Sequence, residues 1–191
     1  MPLTHRTLTI AGWLTMMSAF ASIPMAYLAF TLEGRSDAGS TFVLSVMQGA
    51  GTALFVVITL FLKRFLNRLF MFHDSDKSIV LMILANVVAG FLIVGGMYIS
   101  STKEIAGIAA LVLMVFQGIV QIRFGYTLLK LGNDLGGLLK PFSYLNIATG
   151  ICVASIVLIL AGVVVSAIAD LMLATLFFNA SKQLKEAGQK M

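Results

Sequence analysis

The chain has 191 residues, of which 59% are hydrophobic and 11% charged, and its net charge is +5. Soluble domains contain about 45–50% apolar and about 25% charged residues, so this composition excludes a disordered chain, a disulfide-stapled secreted domain and a large soluble catalytic domain. The mean hydropathy is +1.00, and each apolar run is longer than the roughly 18 residues that indicate a membrane-spanning helix. We therefore expect a single integral membrane domain over residues 1–191 that folds as an all-α helical bundle.

Six membrane-spanning helices are predicted, at 7–32, 41–62, 78–100, 105–129, 142–161 and 164–180. The first apolar run is longer than the hydrophobic region of a signal peptide, so we interpret it as an uncleaved span. The last run, 142–178, would be roughly 55 Å long as one helix, whereas the hydrocarbon core of a bilayer is about 30 Å thick. We expect this run to turn near Gly162 and to form two short spans, with five spans as the alternative.

The distribution of lysine and arginine favours six spans with both termini in the cytoplasm. In that arrangement Arg35 and Lys103 lie outside, and Arg123 lies within a span. Because basic residues accumulate on the cytoplasmic side of membrane proteins, we attribute the net charge to orientation and not to nucleic-acid binding. We expect the protein to reside in a bacterial inner membrane. The ten basic residues on the predicted cytoplasmic side are Arg6, Lys63, Arg64, Arg68, Lys77, Lys130, Lys140, Lys182, Lys185 and Lys190.

The segment 63–70 at the end of the second span is both basic and amphipathic. Lys63, Arg64 and Arg68 share one face with Asn67, and apolar residues occupy the other. Such a stretch can lie against anionic lipid headgroups, so these three basic residues are candidates for headgroup contacts. The alternative is that their charge serves only to orient the helix in the membrane.

Two stretches of the chain resemble each other. The sequence VLSVMQG at 43–49 recurs as VLMVFQG at 112–118, with five of seven positions identical, and the following spans share an Asn-x-x-x-Gly pattern at 86–90 and 146–150. Parallel repeats occur in some transporters, where a site lies between the copies. Short apolar sequences also match by chance, so a duplicated helical hairpin is a hypothesis.

Polar side chains within the predicted spans are few, and such residues are costly in a bilayer and often mark function. Arg123 and Asp170 are the only charged ones, and we expect Asp170 to face a polar interior shared with Gln48 and Gln117. The alternatives are interhelical hydrogen bonds for the amides, an arginine that snorkels to the headgroups, and an aspartate at the outer turn. The candidates for a substrate or ion pathway are Gln48, Asn86, Gln117, Gln121, Arg123, Asn146 and Asp170.

The sequence gives little indication of an enzyme. No predicted span contains a histidine or two neighbouring acidic residues, and the chain lacks the GxxxxGK and HExxH motifs. We therefore predict no catalytic residue, cofactor or metal ion. A small transporter or channel-like protein for a small solute or ion is the expected function. The alternative is a structural or accessory subunit, whose partners beyond the lipid bilayer would be another membrane protein or further copies of itself.

Overall fold

The computed structural model describes residues 4–32, 35, 37–132 and 137–188. Within these ranges the chain contains six α-helices and no β-strand, which confirms the predicted all-α class. Five of the six are long and apolar enough to span a membrane, as expected of a multi-pass membrane protein. The helices are α1 His5–Leu32, α2 Ala38–Leu69, α3 Asp76–Tyr98, α4 Lys103–Leu128, α5 Leu139–Ala154 and α6 Ile159–Gly188.

The turn between the last two helices lies at 155–158, and the prediction of a turn near Gly162, with spans at 142–161 and 164–180, is wrong. Ser155 provides the turn: its hydroxyl donates to the carbonyl of Cys152 at 2.9 Å and accepts from the N–H of Leu158 at 3.3 Å. Ile156 adopts a left-handed conformation with φ of 60°. As a result α5 has only 16 residues, which is shorter than the spanning range of about 17–25 residues.

The six helices form a closed antiparallel ring in which each packs against the next and α6 packs against α1. The closing seam joins the start of α1 to the end of α6, because the hydroxyls of Thr9 and Ser181 lie 2.8 Å apart. Next to them the ring of Trp13 meets that of Phe178 edge-on at 5.7 Å. The two ends of the described chain therefore lie at the same end of the ring.

We call the end of the ring that contains His5, Leu69 and Ser181 the basal end, and the opposite end the apical end. Arg35 and Lys103 lie at the apical end. The basic residues at the basal end are Arg6, Lys63, Arg64, Arg68, Lys77, Lys130, Lys140, Lys182 and Lys185. Lys190, which was predicted for the same side, lies outside the described residues. The asymmetry of the described residues matches the predicted pattern, and the assignment of the basal end to the cytoplasm stays a prediction.

The hydrophobic core fills the basal half of the ring. Phe65 of α2 and Phe177 of α6 are fully buried and meet edge-to-face, with ring centroids 5.3 Å apart. Phe124 of α4 belongs to the same buried cluster, together with apolar residues from all six helices. These aromatic side chains close the basal half of the ring.

Helix α2 is less closely packed near the apical end than at the basal end. On α2, Ile58 and Phe65 face the core and are buried. Gly51 lies seven residues before Ile58 and therefore on the same face of the helix, yet it is exposed and has no neighbouring atom within 4 Å of an added Cβ. The side of α2 that is buried at the basal end is therefore unpacked nearer the apical end.

The repeated segments occupy equivalent helices but differ in packing. A Cβ added to Gly118 of α4 would lie 2.7 Å from the carbonyl oxygen of Gly150 in α5, whereas one added to Gly49, the matching residue of α2, would meet nothing within 4 Å. Gly90 faces α2 as Gly150 faces α4, since its added Cβ would lie 2.8 Å from Oγ1 of Thr52. The two hairpins thus place matching residues at matching positions, but α4 and α5 approach each other more closely than α2 and its neighbours do at Gly49. The duplication stays a hypothesis.

Candidate functional site

The candidate site is built around Asp170, half-buried near the middle of α6. It lies twelve residues before Lys182, or about 18 Å along the helix axis, and eleven residues after the start of α6, so it does not lie at the turn. Ser18 of α1 donates its hydroxyl to Oδ2 of Asp170 at 3.0 Å. This bond crosses the seam that closes the ring.

Asp170 faces the interior of the ring. It lies seven residues before Phe177 and so shares the helix face of that fully buried residue. Leu173, one turn closer to the basal end, is also buried. Ala167, three residues closer to the apical end, is buried as well, and Ser166 is half-buried. The carboxylate therefore lies at the apical limit of the hydrophobic core on α6, with small side chains packed beyond it.

Hydroxyl groups on α1, which were not among the predicted site residues, line the neighbouring side of the site. Thr15, Ser18 and Ser22 follow each other at spacings of three and four residues, which places them on one helix face. Thr15 is fully buried and donates to the carbonyl of Ala11 at 2.7 Å, and Ser22 donates to the carbonyl of Ser18 at 2.7 Å. The helical spacing of the three hydroxyls is the signal that would have identified them.

Two of the predicted pathway residues join α4 to α5. Gln121 donates from Nε2 to Oδ1 of Asn146 at 3.3 Å, and Asn146 is buried and donates to the carbonyl of Phe142 at 2.9 Å. These contacts lie beside the close approach of Gly118 and Gly150. Gln121 and Asn146 therefore fit the alternative interpretation of the amide residues, in which they form hydrogen bonds between helices.

The other amide residues are distributed around the ring. Gln48 donates to Thr52 on its own helix at 3.5 Å, and Asn86 of α3 has a buried Oδ1 without a hydrogen-bond partner in the described part of the chain. Gln117 is half-buried on the same face of α4 as Phe124. No hydrogen bond between described residues joins Gln48 or Gln117 to Asp170. The structure therefore brings Asp170 together with Ser18 and not with the two glutamines.

Arg123 does not lie with the other candidates. It is exposed on the same side of α4 as Ile119 and Tyr126, which are also exposed. Among the described residues it forms no ion pair with Asp170. This position fits the alternative in which Arg123 extends along the bilayer to the headgroups.

The three candidates for lipid contacts come together at the basal end. Lys63, Arg64 and Arg68 line a depression of about 470 Å³ at the end of α2. Asp76, the first residue of α3, accepts hydrogen bonds from Nδ2 of Asn67 at 3.0 and 3.1 Å and lies 3.8 Å from the ammonium group of Lys63. This basic cluster is separate from the site at Asp170.

The chain matches no family model, no curated protein and no solved structure. Its function is therefore argued from the geometry of these two groups of residues. A carboxylate beside a hydroxyl stripe offers hard oxygen ligands, which suit protons and small inorganic cations.

Proposed function

We propose that the protein is a small transporter or channel-like protein for protons or a small inorganic cation, with Asp170 as the group that binds the ion. The observation that carries this proposal is the position of Asp170 on the inner face of α6, at the apical limit of the hydrophobic core and beside the hydroxyl stripe of α1. An acidic side chain in the membrane interior is costly and is found mainly where a protein handles ions.

The surroundings of Asp170 support binding and release of a positive charge. A carboxylate in an apolar setting is stable only when it is protonated or paired with a cation. Among the described residues only the hydroxyl of Ser18 donates to Asp170, at Oδ2, so Oδ1 is available to a proton or an ion. Exchange with water would take place from the apical side, where α2 is less closely packed. Passage to the basal end requires the cluster of Phe65, Phe124 and Phe177 to separate, which favours a gated transporter over a permanently open pore.

Ion flux into liposomes tests this function. Purified protein is reconstituted, and proton, sodium and potassium gradients are applied in turn while internal pH and ion content are followed. We expect Asp170→Asn to lower the flux by about tenfold or more, because the charge that binds the ion is lost, and Ser18→Ala to lower it less. Asp37→Asn, a change of the same chemistry just before α2, should leave the flux unchanged. Flux equal to that of protein-free liposomes, or an unaffected Asp170→Asn variant, would refute the proposal.

Thiol labelling tests the water access that the proposal needs. In a Cys152→Ser background, Gly51→Cys lies on the inner face of α2, whereas Gly49→Cys lies at the same depth but about 200° round the helix. A membrane-impermeant maleimide should react with Gly51→Cys from the apical side only and should not react with Gly49→Cys. A Gly51→Cys thiol as unreactive as Gly49→Cys would mean a dry interior and would count against transport.

An accessory subunit is the second candidate function, and one surface favours it. Gly49 and Ala53 are exposed one turn apart on the outer side of α2, which forms the small-xxx-small pattern of packed membrane helices. If flux is absent, cross-linking through Ala53→Cys should capture a second copy or another membrane protein. Failure to cross-link, with normal flux, would eliminate this alternative.

A further inference from the structure

The last turns of α2 carry an exposed basic ridge that the proposed ion pathway does not use. Leu60, Arg64 and Arg68 recur every four residues and are all exposed, so they lie along one side of the helix. After α2 ends, the chain folds back so that His73 faces the same side. The resulting depression of about 470 Å³ is lined by Leu60, Lys63, Arg64, Asn67, Arg68, Met71 and His73.

The positive charge of this depression is only partly balanced within the chain. The carboxylate of Asp76 lies 3.8 Å from Lys63 and 3.6 Å from the imidazole of His73. In the described part of the chain, Arg64 and Arg68 form no ion pair with a carboxylate. Two unpaired guanidinium groups one turn apart match the oxygens of a phosphate group, which arginine binds two at a time.

An apolar side chain lies at each end of the depression. Leu60 is 42% exposed on the side of the membrane interior, and Met71 is 77% exposed just beyond the helix end. Met71 adopts a left-handed conformation with φ of 52°, a position where helices usually place glycine because other side chains are strained there. An exposed apolar side chain is therefore kept where glycine would fit better. A soluble phosphate needs no such contact, whereas a phospholipid has an apolar part beside its phosphate.

We propose that this depression binds the headgroup of an anionic phospholipid from the leaflet at the basal end. Arg64 and Arg68 contact the phosphate oxygens, Leu60 packs against an acyl chain, and Met71 packs against the glycerol region. A leaflet rich in anionic lipids attracts basic segments of this kind. The proposal does not depend on the transport function, because no residue of the depression belongs to the site at Asp170.

Native mass spectrometry of the purified protein in detergent tests this assignment. The protein is titrated with phosphatidylglycerol and, separately, with phosphatidylcholine that carries the same acyl chains. We expect the protein to retain one phosphatidylglycerol about tenfold more tightly than phosphatidylcholine, since each basic residue near an anionic lipid contributes to its attraction. The double variant Arg64→Gln/Arg68→Gln should lose this preference. The matched control Lys182→Gln/Lys185→Gln removes the same charge from the same end of the ring and should keep it.

Three results would overturn the proposal. An equal loss of affinity in both double variants would indicate diffuse electrostatic attraction and no specific site. Equal retention of the two lipids would remove the role of the headgroup charge. Displacement of the lipid by glycerol phosphate or inorganic phosphate at equal concentration would indicate a site for a soluble anion. A Met71→Gly variant provides a further check, because it should raise the melting temperature by relieving the backbone while it weakens lipid retention.

Discussion

The basal and apical halves of the ring are built from similarly apolar sequence but bury side chains of different size. In the basal half Phe65 and Phe177 are fully buried against each other, whereas near the apical end the buried residues are small, such as Gly96 and Ala106. Phe91, a large side chain of the apical half, lies on the outer face of α3 and is 76% exposed. In lipid an apolar side chain gains little by leaving the acyl chains, and shape complementarity decides which helices pack closely. The difference between the halves is therefore one of fit and not of hydrophobicity.

The strongest test of this contrast replaces one aromatic residue in each half. Phe177→Ala should lower the free energy of unfolding by about 3–5 kcal/mol, because it leaves a cavity in the packed core. Phe91→Ala should lower it by less than about 0.5 kcal/mol, because that ring contacts mostly lipid. Reversible unfolding of the detergent-solubilised protein in dodecyl sulfate provides the measurement. Equal losses for the two variants would mean that Phe91 is covered as closely as Phe177.

The repeated glycines sharpen the comparison with a smaller change. Gly118→Ala should destabilise the protein by about 1–3 kcal/mol, because its Cβ would overlap the backbone of α5. Gly49→Ala has open space and should stabilise the helix by up to about 1 kcal/mol, since alanine is the better helix former. The same unfolding assay measures both. A destabilised Gly49→Ala variant would show that α2 is more closely covered than its surroundings indicate.

The smallest expected effect concerns the N-terminus of α2 at the apical end. This helix end is stabilised by the side chain of its N-cap residue, Asp37. Asp37 accepts from the backbone N–H of Ser40 at 2.9 Å and from its hydroxyl at 2.7 Å. These bonds, the backbone bond first, lower the pKa of Asp37 below its ordinary 3.8. The cap is therefore complete above pH 3.8 and is lost as the pH falls through the lowered pKa of the folded state.

Amide hydrogen exchange at Ser40 and Thr41 measures this loss. Exchange should accelerate only below pH 3.8, beyond the intrinsic pH dependence, and Asp37→Asn should abolish that acceleration. A titration midpoint of the Asp37 carboxyl at or above 3.8 would contradict the prediction.

The helix count and the all-α class were predictable because lipid permits few other ways to satisfy the backbone. The hydropathy pattern also located α1, α3 and α4 to within about two residues of their ends, whereas α2 continues seven residues beyond the predicted span. It failed at the last turn because Ser155 and Ile156 are unremarkable in an apolar run, and only the side-chain bonds of Ser155 make them a turn. Gly162, the residue expected to turn the chain, instead permits close approach of α6 to Cys152.

The candidate site was predictable only in part. A lone carboxylate in a span is rare, so Asp170 could be singled out. Its partner Ser18 could not, because serine is common in membrane helices and the pairing of α1 with α6 is a long-range contact that spacing does not encode. The exposed position of Arg123 was predictable from the sequence. Arg123 follows Ile119 by four residues and precedes Tyr126 by three, which places all three on one side of the helix.

The short helix α5 has a consequence for the surrounding lipid. Its 16 residues extend about 24 Å, which is about 6 Å less than the hydrocarbon thickness of a typical bilayer. The turn that follows can lie below the headgroups, because the N–H groups of 155–159 all find partners within the chain. A hydrophobic segment this short is accommodated by local thinning of the bilayer, by snorkelling of flanking side chains or by oligomerisation. Any such adjustment is therefore expected on the flank of the ring where α5 lies.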